Sequence, residues 1–137
     1  MSTLIGTGPL VALIDRGQGE LHRTCAAALK ALSGSLLTTW PCFTEAMYFL
    51  GDLNGWHGQE ALWRFLERGV LSIHFAGDSE ANRMRVLMEQ YVDTPIDLAD
   101  ASLVAAAETE GLSQIFTLES DFRVYRVKGL KAFEVIP

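Results

Sequence analysis

Five acidic residues, at three places in the chain, are the side chains best suited to chemistry. They are Glu45, Asp97, Asp100, Glu119 and Asp121. Clustered carboxylates repel one another, so they persist mainly where a cation or a proton holds them together. Oxygen-rich sites of this type select hard divalent ions, Mg²⁺ or Mn²⁺, over zinc. Because such ions activate water and stabilise the charge that builds on a phosphodiester, the acids indicate a metal-dependent nuclease.

The segments around these acids alternate between strand and helix patterns along the chain. Short β-rich or buried apolar runs predict strands over residues 3–6, 35–39, 70–75, 114–118 and 131–136. Helical spacing predicts helices over 8–15, 20–32, 41–50, 56–68, 78–91 and 97–110, with a helical turn or loop at 121–126. This alternation predicts a three-layer α/β/α fold with a mostly parallel sheet of four to five strands.

The predicted sheet brings the acids to one edge. In open parallel sheets, ligands bind beyond the carboxyl ends of the strands. Gly6 ends the first strand and Glu119 directly follows the fourth. The helices that carry Glu45 and Asp97 are expected to begin at the same edge, so residues distant in sequence converge there.

Each acid also has an ordinary structural explanation. Glu45 lies in the first turns of its helix, where a carboxylate interacts favourably with the helix dipole. Asp97 and Asp100 resemble an N-cap and its reciprocal partner. Acids that follow a strand, such as Glu119 and Asp121, are common in turns. The pattern alone therefore leaves the functional and structural interpretations open. No histidine-centred triad competes with them; the histidines are His22, His57 and His74.

Size and composition predict one domain over residues 1–137 and limit the possible partners. At 15.1 kDa and 49% hydrophobic residues, the chain is large and apolar enough for a compact core. Its net charge of −6 counts against a protein that grips nucleic acid through a broad basic surface.

Cysteine content and hydropathy favour a cytoplasmic protein. Cys25 and Cys42 lack the spacing of a zinc site and are too few for a disulfide framework, so buried thiols are expected. No apolar run has the length of a membrane span, and the amino terminus has no basic region of the kind that begins a secretory signal.

Four segments together resemble the motifs of PIN-domain proteins. These segments are 4–15, 38–51, 95–104 and 117–125, and they follow one another in the family's order over nearly the whole chain. The sequence is most similar to VapC-type toxins of bacterial toxin–antitoxin pairs. The resemblance implies a Mg²⁺- or Mn²⁺-dependent endoribonuclease that cleaves RNA, is usually a homodimer, and is inhibited by a small VapB-like antitoxin.

The resemblance also implies roles for individual residues. Glu45, Asp100 and Glu119 would bind the metal and form the catalytic centre, with Asp121 as a second candidate for the last position. Asp97 would orient the site. Two threonines would hydrogen-bond ligands or water, namely Thr7 and Thr117.

Two positions depart from the family pattern. Glu119 stands where Asp is usual, which lengthens the reach by one methylene and is tolerable. Gly6 stands where the first metal-binding Asp belongs, so it brings no ligand to the site. A glycine also suits a tight strand-to-helix turn. Spaced glycines after a strand also occur in dinucleotide-binding loops. We reject such a loop here, because Val11 stands where its third glycine would be. We therefore expect an impaired form of an active nuclease.

Two other function classes compete with this interpretation. A nuclease-dead module of the same fold would bind an antitoxin or RNA without cutting it. An acidic receiver-like signalling domain also places carboxylates at a sheet edge. The block from Thr117 to Phe122, and the lack of a suitably placed lysine after the fourth strand, argue against the receiver.

Partner surfaces are predicted from basic and apolar side chains. RNA phosphates would be contacted near the acids by basic residues, namely Arg123, Arg126, Lys128 and Lys131. Apolar side chains on the early helices, including Trp56, Trp63 and Phe65, either pack in the core or form a groove for an antitoxin helix.

Overall fold

The computed structural model describes residues 2–127 and 131–137. The strands of these residues are β1 Ser2–Ile5, β2 Ser35–Thr39, β3 Leu71–His74, β4 Gln114–Phe116, β5 Arg126–Val127, β6 Lys131–Ala132 and β7 Glu134–Ile136. The helices are α1 Thr7–Ile14, α2 Glu20–Ala31, α3 Trp40–Asn54, α4 Trp56–Glu67, α5 Asp78–Gln90 and α6 Leu98–Glu110, with 3₁₀ turns at Arg16–Gln18 and Ser120–Arg123. Among the described residues, no helix is both long and apolar enough to cross a membrane.

A parallel sheet forms the centre of the fold. Its strand order is β3-β2-β1-β4-β7, and every neighbouring pair is parallel. The carboxyl ends of β1, β2, β3 and β4 therefore lie at one edge. Strands β5 and β6 form a separate antiparallel pair. The sheet confirms the predicted mostly parallel arrangement of four to five strands.

Helices cover both faces of the sheet. Successive residues of a strand face opposite sides, and β1 shows this directly. Leu4 packs into a core that includes residues of α5 and α6. Ile5 packs into the core beneath α1 to α4, which contains Phe43 and Leu62. The two cores confirm the predicted three-layer α/β/α fold, in which both faces of the sheet are covered.

Helix α6, which carries Asp100, is deeply buried. All residues from 99 to 107 are buried, and alanines at 99, 101, 105, 106 and 107 let the helix approach the sheet closely. A helix that is apolar around its whole circumference belongs inside a protein. Asp100 is therefore carried into the interior by the burial of its own helix.

Two sequence predictions need correction. Helix α3 extends to Asn54, four residues beyond the predicted end, and Gly55 ends it with a positive φ of 63°. The predicted last strand, 131–136, is two strands in two different sheets. Phe133 separates them because its ring is buried and packs edge-on against Phe122, with 5.5 Å between ring centroids. Of the apolar set on the early helices, Phe65 packs against the core, Trp63 is 40% exposed but packs edge-on against buried Phe43 at 5.1 Å, and Trp56 is exposed.

Both cysteines match their prediction. Cys25 and Cys42 are buried and free. Burial raises the pKa of the Cys42 thiol to about 12, so this sulfur stays protonated and unreactive at neutral pH.

His74 joins the carboxyl end of β3 to helices α5 and α6. One ring nitrogen, Nε2, lies 2.7 Å from the Glu80 carboxylate, and the other, Nδ1, lies 3.0 Å from Glu110. Glu80 is buried, whereas the Glu110 side chain is 45% exposed. The buried contact should therefore contribute more to stability than the exposed one, because a buried charge without a partner is costly.

We predict that His74→Phe lowers the free energy of unfolding by about 3 kcal/mol, since it leaves the Glu80 carboxylate buried without its partner. Glu110→Gln should cost less than about 1 kcal/mol, because it alters a partly solvated contact. Urea denaturation of the two variants measures both values. Equal losses would contradict the assignment of stability to the buried contact.

Candidate active site

Asp97 and Asp100 are held at the start of α6 by the N-cap of that helix. Oδ1 of Asp97 accepts a hydrogen bond of 2.8 Å from the backbone N–H of Asp100. Asp97 itself is exposed, whereas Asp100 is only 8% exposed. The capping interpretation of Asp97 is therefore confirmed, and the cap fixes where Asp100 enters the cleft.

Glu119 follows strand β4 and lies beside Asp100. The hydroxyl of buried Thr117 accepts a hydrogen bond of 3.1 Å from the backbone N–H of Glu119, which shapes the turn after the strand. The side chains of Glu119 and Asp100 interact directly, because the negative charge of Glu119 raises the pKa of Asp100. Two acids that are 19 residues apart in sequence are thus paired at the sheet edge.

Burial and neighbouring charge favour a proton on this pair. Burial of Asp100, followed by the negative charges of Glu119 and Asp97, raises its pKa from 3.8 to about 8. Partial burial also raises the pKa of Glu119, as do the negative charges of Asp97, Glu45 and Asp121. Because the pKa values of both acids are raised, the pair favours holding a proton when no cation is bound.

The remaining acids lie around this pair. Glu45, on the second turn of α3, is half-buried and lines a cavity of about 430 Å³ together with Asp97 and Glu119. The charges of Glu45 and Asp121 both raise the pKa of Glu119. All five acids predicted to converge therefore lie in one electrostatically connected cleft, and Thr7 lines the same cavity.

Gly6 lies buried at the end of β1, between Thr117 and α6. Its φ of −91° and ψ of −179° are extended values that any residue adopts. A Cβ at this position would lie 3.5 Å from Cδ1 of Leu103 and 3.8 Å from Oγ1 of Thr117, which are ordinary contacts. Neither backbone conformation nor lack of space requires glycine here, so the tight-turn explanation of Gly6 is wrong.

The cleft has the donor chemistry of a divalent cation site but not its arrangement. Carboxylate oxygens are the donors that Mg²⁺ and Mn²⁺ prefer. Within residues 2–127 and 131–137, however, no three histidine, cysteine, aspartate or glutamate side chains are placed to hold one ion together. Without a cation, the raised pKa of Asp100 favours a proton on the Asp100–Glu119 pair. As they stand, these residues do not form a ready ligand set for a metal.

The two arginines predicted to contact RNA phosphates lie in different surroundings. Arg123 is exposed and lines a cavity of about 170 Å³ together with Thr117 and Glu119. Nη1 of Arg126 donates to three backbone carbonyls of the adjacent turn, at 2.6 to 3.0 Å, so its guanidinium is already engaged in that turn. The role of either arginine in binding RNA stays a prediction.

The position of Lys131 contradicts its predicted contact with RNA near the acids. Lys131 lines a cavity with Gly111, just beyond the carboxyl end of α6, whereas Asp100 is at the amino end. A helix of this length separates its two ends by about 20 Å. Lys131 is therefore not near the acids, because β6 pairs with β5 rather than following the sheet edge. Lys128 lies outside the described residues.

Sequence reasoning missed two groups of residues beside the acids. Oγ of Ser102 lies 2.6 Å from Oγ1 of Thr39 and donates to the Ala99 carbonyl, which joins β2 to α6 beneath the cleft. An aromatic wall on α3, which includes Trp40 and Tyr48, lines a larger cavity next to Glu45. Trp40 and Tyr48 are eight residues apart on one helix, and that helical spacing was the signal available in the sequence.

Comparison with solved structures identifies the fold. VapC20 of Mycobacterium tuberculosis, a toxin that cleaves the sarcin–ricin loop, matches with a TM-score of 0.85 at 16% identity, over 98% of this chain and 99% of that one. The fold is that of VapC toxins. A toxin–antitoxin complex from Klebsiella pneumoniae matches the VapC-like fold with a TM-score of 0.67 at 22% identity, over 88% of this chain and 89% of that one.

A third structure shares the VapC-like fold. VapBC2 of Rickettsia felis, bound to a DNA fragment from its promoter, matches with a TM-score of 0.69 at 17% identity over the full length of both chains. No protein-family model matches the sequence, and no curated protein matches it. At these identities the likeness shows the fold, which is the PIN-like fold predicted from the sequence.

The proton on the acid pair predicts how stability depends on pH in metal-free solution. Between pH 4 and 8 the unfolded chain loses the Asp100 proton while the folded chain retains it. The free energy of unfolding should therefore fall as pH rises through this window, by at most about 1.4 kcal/mol per pH unit for one proton. Asp100→Asn, which is always neutral, should remove most of that fall and be more stable than the parent at pH 8.

Urea denaturation at several pH values, with chelator present, measures this dependence. Asp93→Asn is the matched control, because Asp93 is exposed and lies outside the acid cleft. A control variant with the slope of the parent, beside a flattened Asp100→Asn slope, is the expected result. Parent stability that rises between pH 4 and 8 would contradict the shared proton.

Proposed function

We propose that this chain is an endoribonuclease toxin whose cleavage site is incomplete. The observation that carries the proposal is the convergence of five acids in one cleft at the carboxyl edge of a VapC-like sheet. Such an edge is where open α/β sheets bind their ligands. RNA is proposed as the substrate, since VapC20, which has the same fold, cleaves the sarcin–ricin loop.

The proposed loss of nuclease activity follows from which carboxylates the cleft contains. In the proposed active form, Asp100 and Glu119 would hold Mg²⁺ or Mn²⁺, with Glu45 and Asp121 as further oxygen donors. The ion would supply an activated water and charge stabilisation at the phosphodiester. Gly6 contributes no donor, and the proton between Asp100 and Glu119 competes with a cation for the same oxygens. We therefore propose weak metal binding and slow cleavage.

Other residues of the cleft have positioning roles in this proposal. Asp97 fixes the backbone of Asp100 through the N-cap, and Asp97 itself is exposed at the cleft. Thr117 holds the backbone of Glu119. Thr7 donates a long hydrogen bond of 3.4 Å to the carbonyl of Cys42, so its hydroxyl is only weakly engaged and can bind a ligand or water.

A nuclease-dead binding module is the second candidate function. The observation that favours it is the protonated acid pair, because a site closed by a proton needs no metal to be stable. Such a module would bind RNA or an antitoxin without cleaving RNA. Metal-dependent cleavage discriminates between the two candidates.

Assembly and location are proposed from the resemblance to the toxin family. We propose a cognate VapB-like antitoxin as partner, consistent with the Klebsiella and Rickettsia toxin–antitoxin complexes of the same fold. A homodimer and a cytoplasmic location are proposed on the same basis. Co-expression with the product of the neighbouring small gene should yield a complex that survives size-exclusion chromatography. Elution of the two proteins as separate species would count against the toxin assignment.

The decisive test of the chemistry is restoration of the missing carboxylate. We predict that Gly6→Asp raises the rate of RNA cleavage in Mg²⁺ or Mn²⁺ by roughly 10² or more, the size of effect typical of one preorganised group that stabilises transition-state charge. Cleavage should stop when chelator is added. A panel of RNAs that includes sarcin–ricin loop RNA, analysed on denaturing gels, measures the rate.

Gly6→Ala is the matched control, because a Cβ fits at this position without adding a carboxylate. It should leave cleavage at the level of the parent. If Gly6→Asp and the parent cut equally, the present acids suffice and the proposed impairment is wrong. If neither cuts any RNA of the panel, the binding-module function is favoured.

A further inference from the structure

The cavity beside the acids also contains a neutral amide, that of Gln18. This residue ends the 3₁₀ turn Arg16–Gln18 and lines the cavity of about 430 Å³. Apolar side chains from α1, α3 and the turn after β4 line the same cavity, namely Val11, Phe49, Leu53 and Leu118. Within the described residues, the other polar side chains of the lining are Thr7, Glu45, Asp97 and Glu119.

Asp15 holds the Gln18 amide in one orientation. Nε2 of Gln18 donates a hydrogen bond of 2.9 Å to Oδ2 of Asp15. Oδ1 of Asp15 accepts from Nδ2 of Asn54 at 3.2 Å and from the backbone N–H of Gly17 at 3.1 Å. Asp15 is only 7% exposed, and these bonds, that from Gln18 first, lower the pKa of its carboxyl group. Because an ionised carboxylate only accepts, the N–H side of the amide must face Asp15.

This orientation leaves one acceptor and one donor of the amide for a ligand. A glutamine side chain has two N–H groups and one carbonyl oxygen. Asp15 accepts from one N–H, and no other hydrogen bond of the Gln18 side chain occurs within residues 2–127 and 131–137. The amide oxygen and the second N–H therefore remain available beside an open cavity.

The amide lies along α3 from the acids. Glu45 is on the second turn of α3, whereas Asn54, which binds the same carboxylate as Gln18, is the last residue of that helix. Nine residues at 1.5 Å each place these two positions about 14 Å apart. The cavity therefore extends from the acids to the amide. A neutral group bound beside Gln18 avoids the repulsion that the acids exert on an anion.

A nucleobase matches the chemistry of this end of the cavity. Its faces stack on apolar and aromatic side chains, and its edge carries donors and acceptors. Adenine pairs with a glutamine amide through two bonds, from N6–H to the amide oxygen and from the amide N–H to N7. We propose that Gln18 is a specificity-determining residue that accepts an adenine next to the site of RNA cleavage. The RNA identity of the ligand rests on the proposed function.

Binding of neutral nucleosides tests this proposal without cleavage or metal. Adenosine and purine riboside, which lacks the N6 amino group, are titrated into the parent with chelator present and followed by ¹H–¹⁵N NMR. The side-chain N–H signals of Gln18 should shift with adenosine. Adenosine should bind at least about fivefold more tightly than purine riboside, the lower end of the range for one bidentate contact. Equal binding of the two nucleosides, or no binding of adenosine, would overturn the proposal.

Gln18→Met keeps the length of the side chain and removes the amide. It should weaken adenosine binding at least about fivefold and abolish the preference over purine riboside. Gln90→Met is the matched control, because Gln90 is exposed at the end of α5 and lies outside the cavity. It should leave both affinities within about twofold of the parent.

Thermal unfolding of both variants shows whether they are folded. If Gln18→Met does not fold, the Gln18 signals and the two affinities of the parent still decide the question. A folded Gln18→Met variant that binds adenosine as tightly as the parent would contradict the assigned role.

Failure of this proposal is distinguishable from failure of the proposed nuclease. If Gly6→Asp cuts no RNA but adenosine binding depends on Gln18, the nuclease function fails and the base-binding role stands. If Gly6→Asp cuts RNA and Gln18→Met binds adenosine like the parent, the nuclease stands and the role of Gln18 is wrong. If Gln18→Met abolishes only antitoxin binding, the amide belongs to a protein interface and the base-binding role is also wrong.

Discussion

The fold places one carboxyl group, that of Asp100, where it cannot easily be ionised. Its helix is buried from residue 99 to 107, so the side chain enters the interior together with the first turn of α6. Glu119 lies against it at the end of β4, and the combined effect raises the pKa of Asp100. Such a pair needs either a proton or a cation. Local contacts hold the two acids in this position: the N-cap at Asp97 fixes the backbone of Asp100, and the Thr117 hydroxyl fixes that of Glu119.

Gly6 stands at the end of β1, where a carboxylate would be next to this pair. We propose that a third carboxylate there would favour a divalent cation, because it would add an oxygen donor and a negative charge with which two positive charges interact more strongly than one. The backbone conformation and the space for a Cβ show that glycine is not a requirement of the fold at this position. Under the proposed function, this one residue at the sheet edge would separate a cutting enzyme from a module that only binds.

The sequence predicted the fold and the meeting place of the acids because both follow from short-range patterns. Strand and helix periods determine which faces are buried, and parallel strands bring their carboxyl ends together. Glu45, Asp97 and Glu119 were placed correctly for that reason. Features that depend on three-dimensional packing were not predictable. The sequence does not show that Phe133 turns into the core and divides the last strand, or that Lys131 lies beyond the far end of α6.

The central claim is that a proton, held by Asp100 and Glu119, occupies the place of a cation. Infrared difference spectroscopy tests it most directly, by comparing the metal-free parent with Asp100→Asn at pH 7. A carboxylic acid carbonyl band that is present in the parent, absent from the variant and lost as the pH rises above about 8 is the predicted result. Carboxylate bands alone at pH 7 would show that both acids are ionised and would contradict the claim.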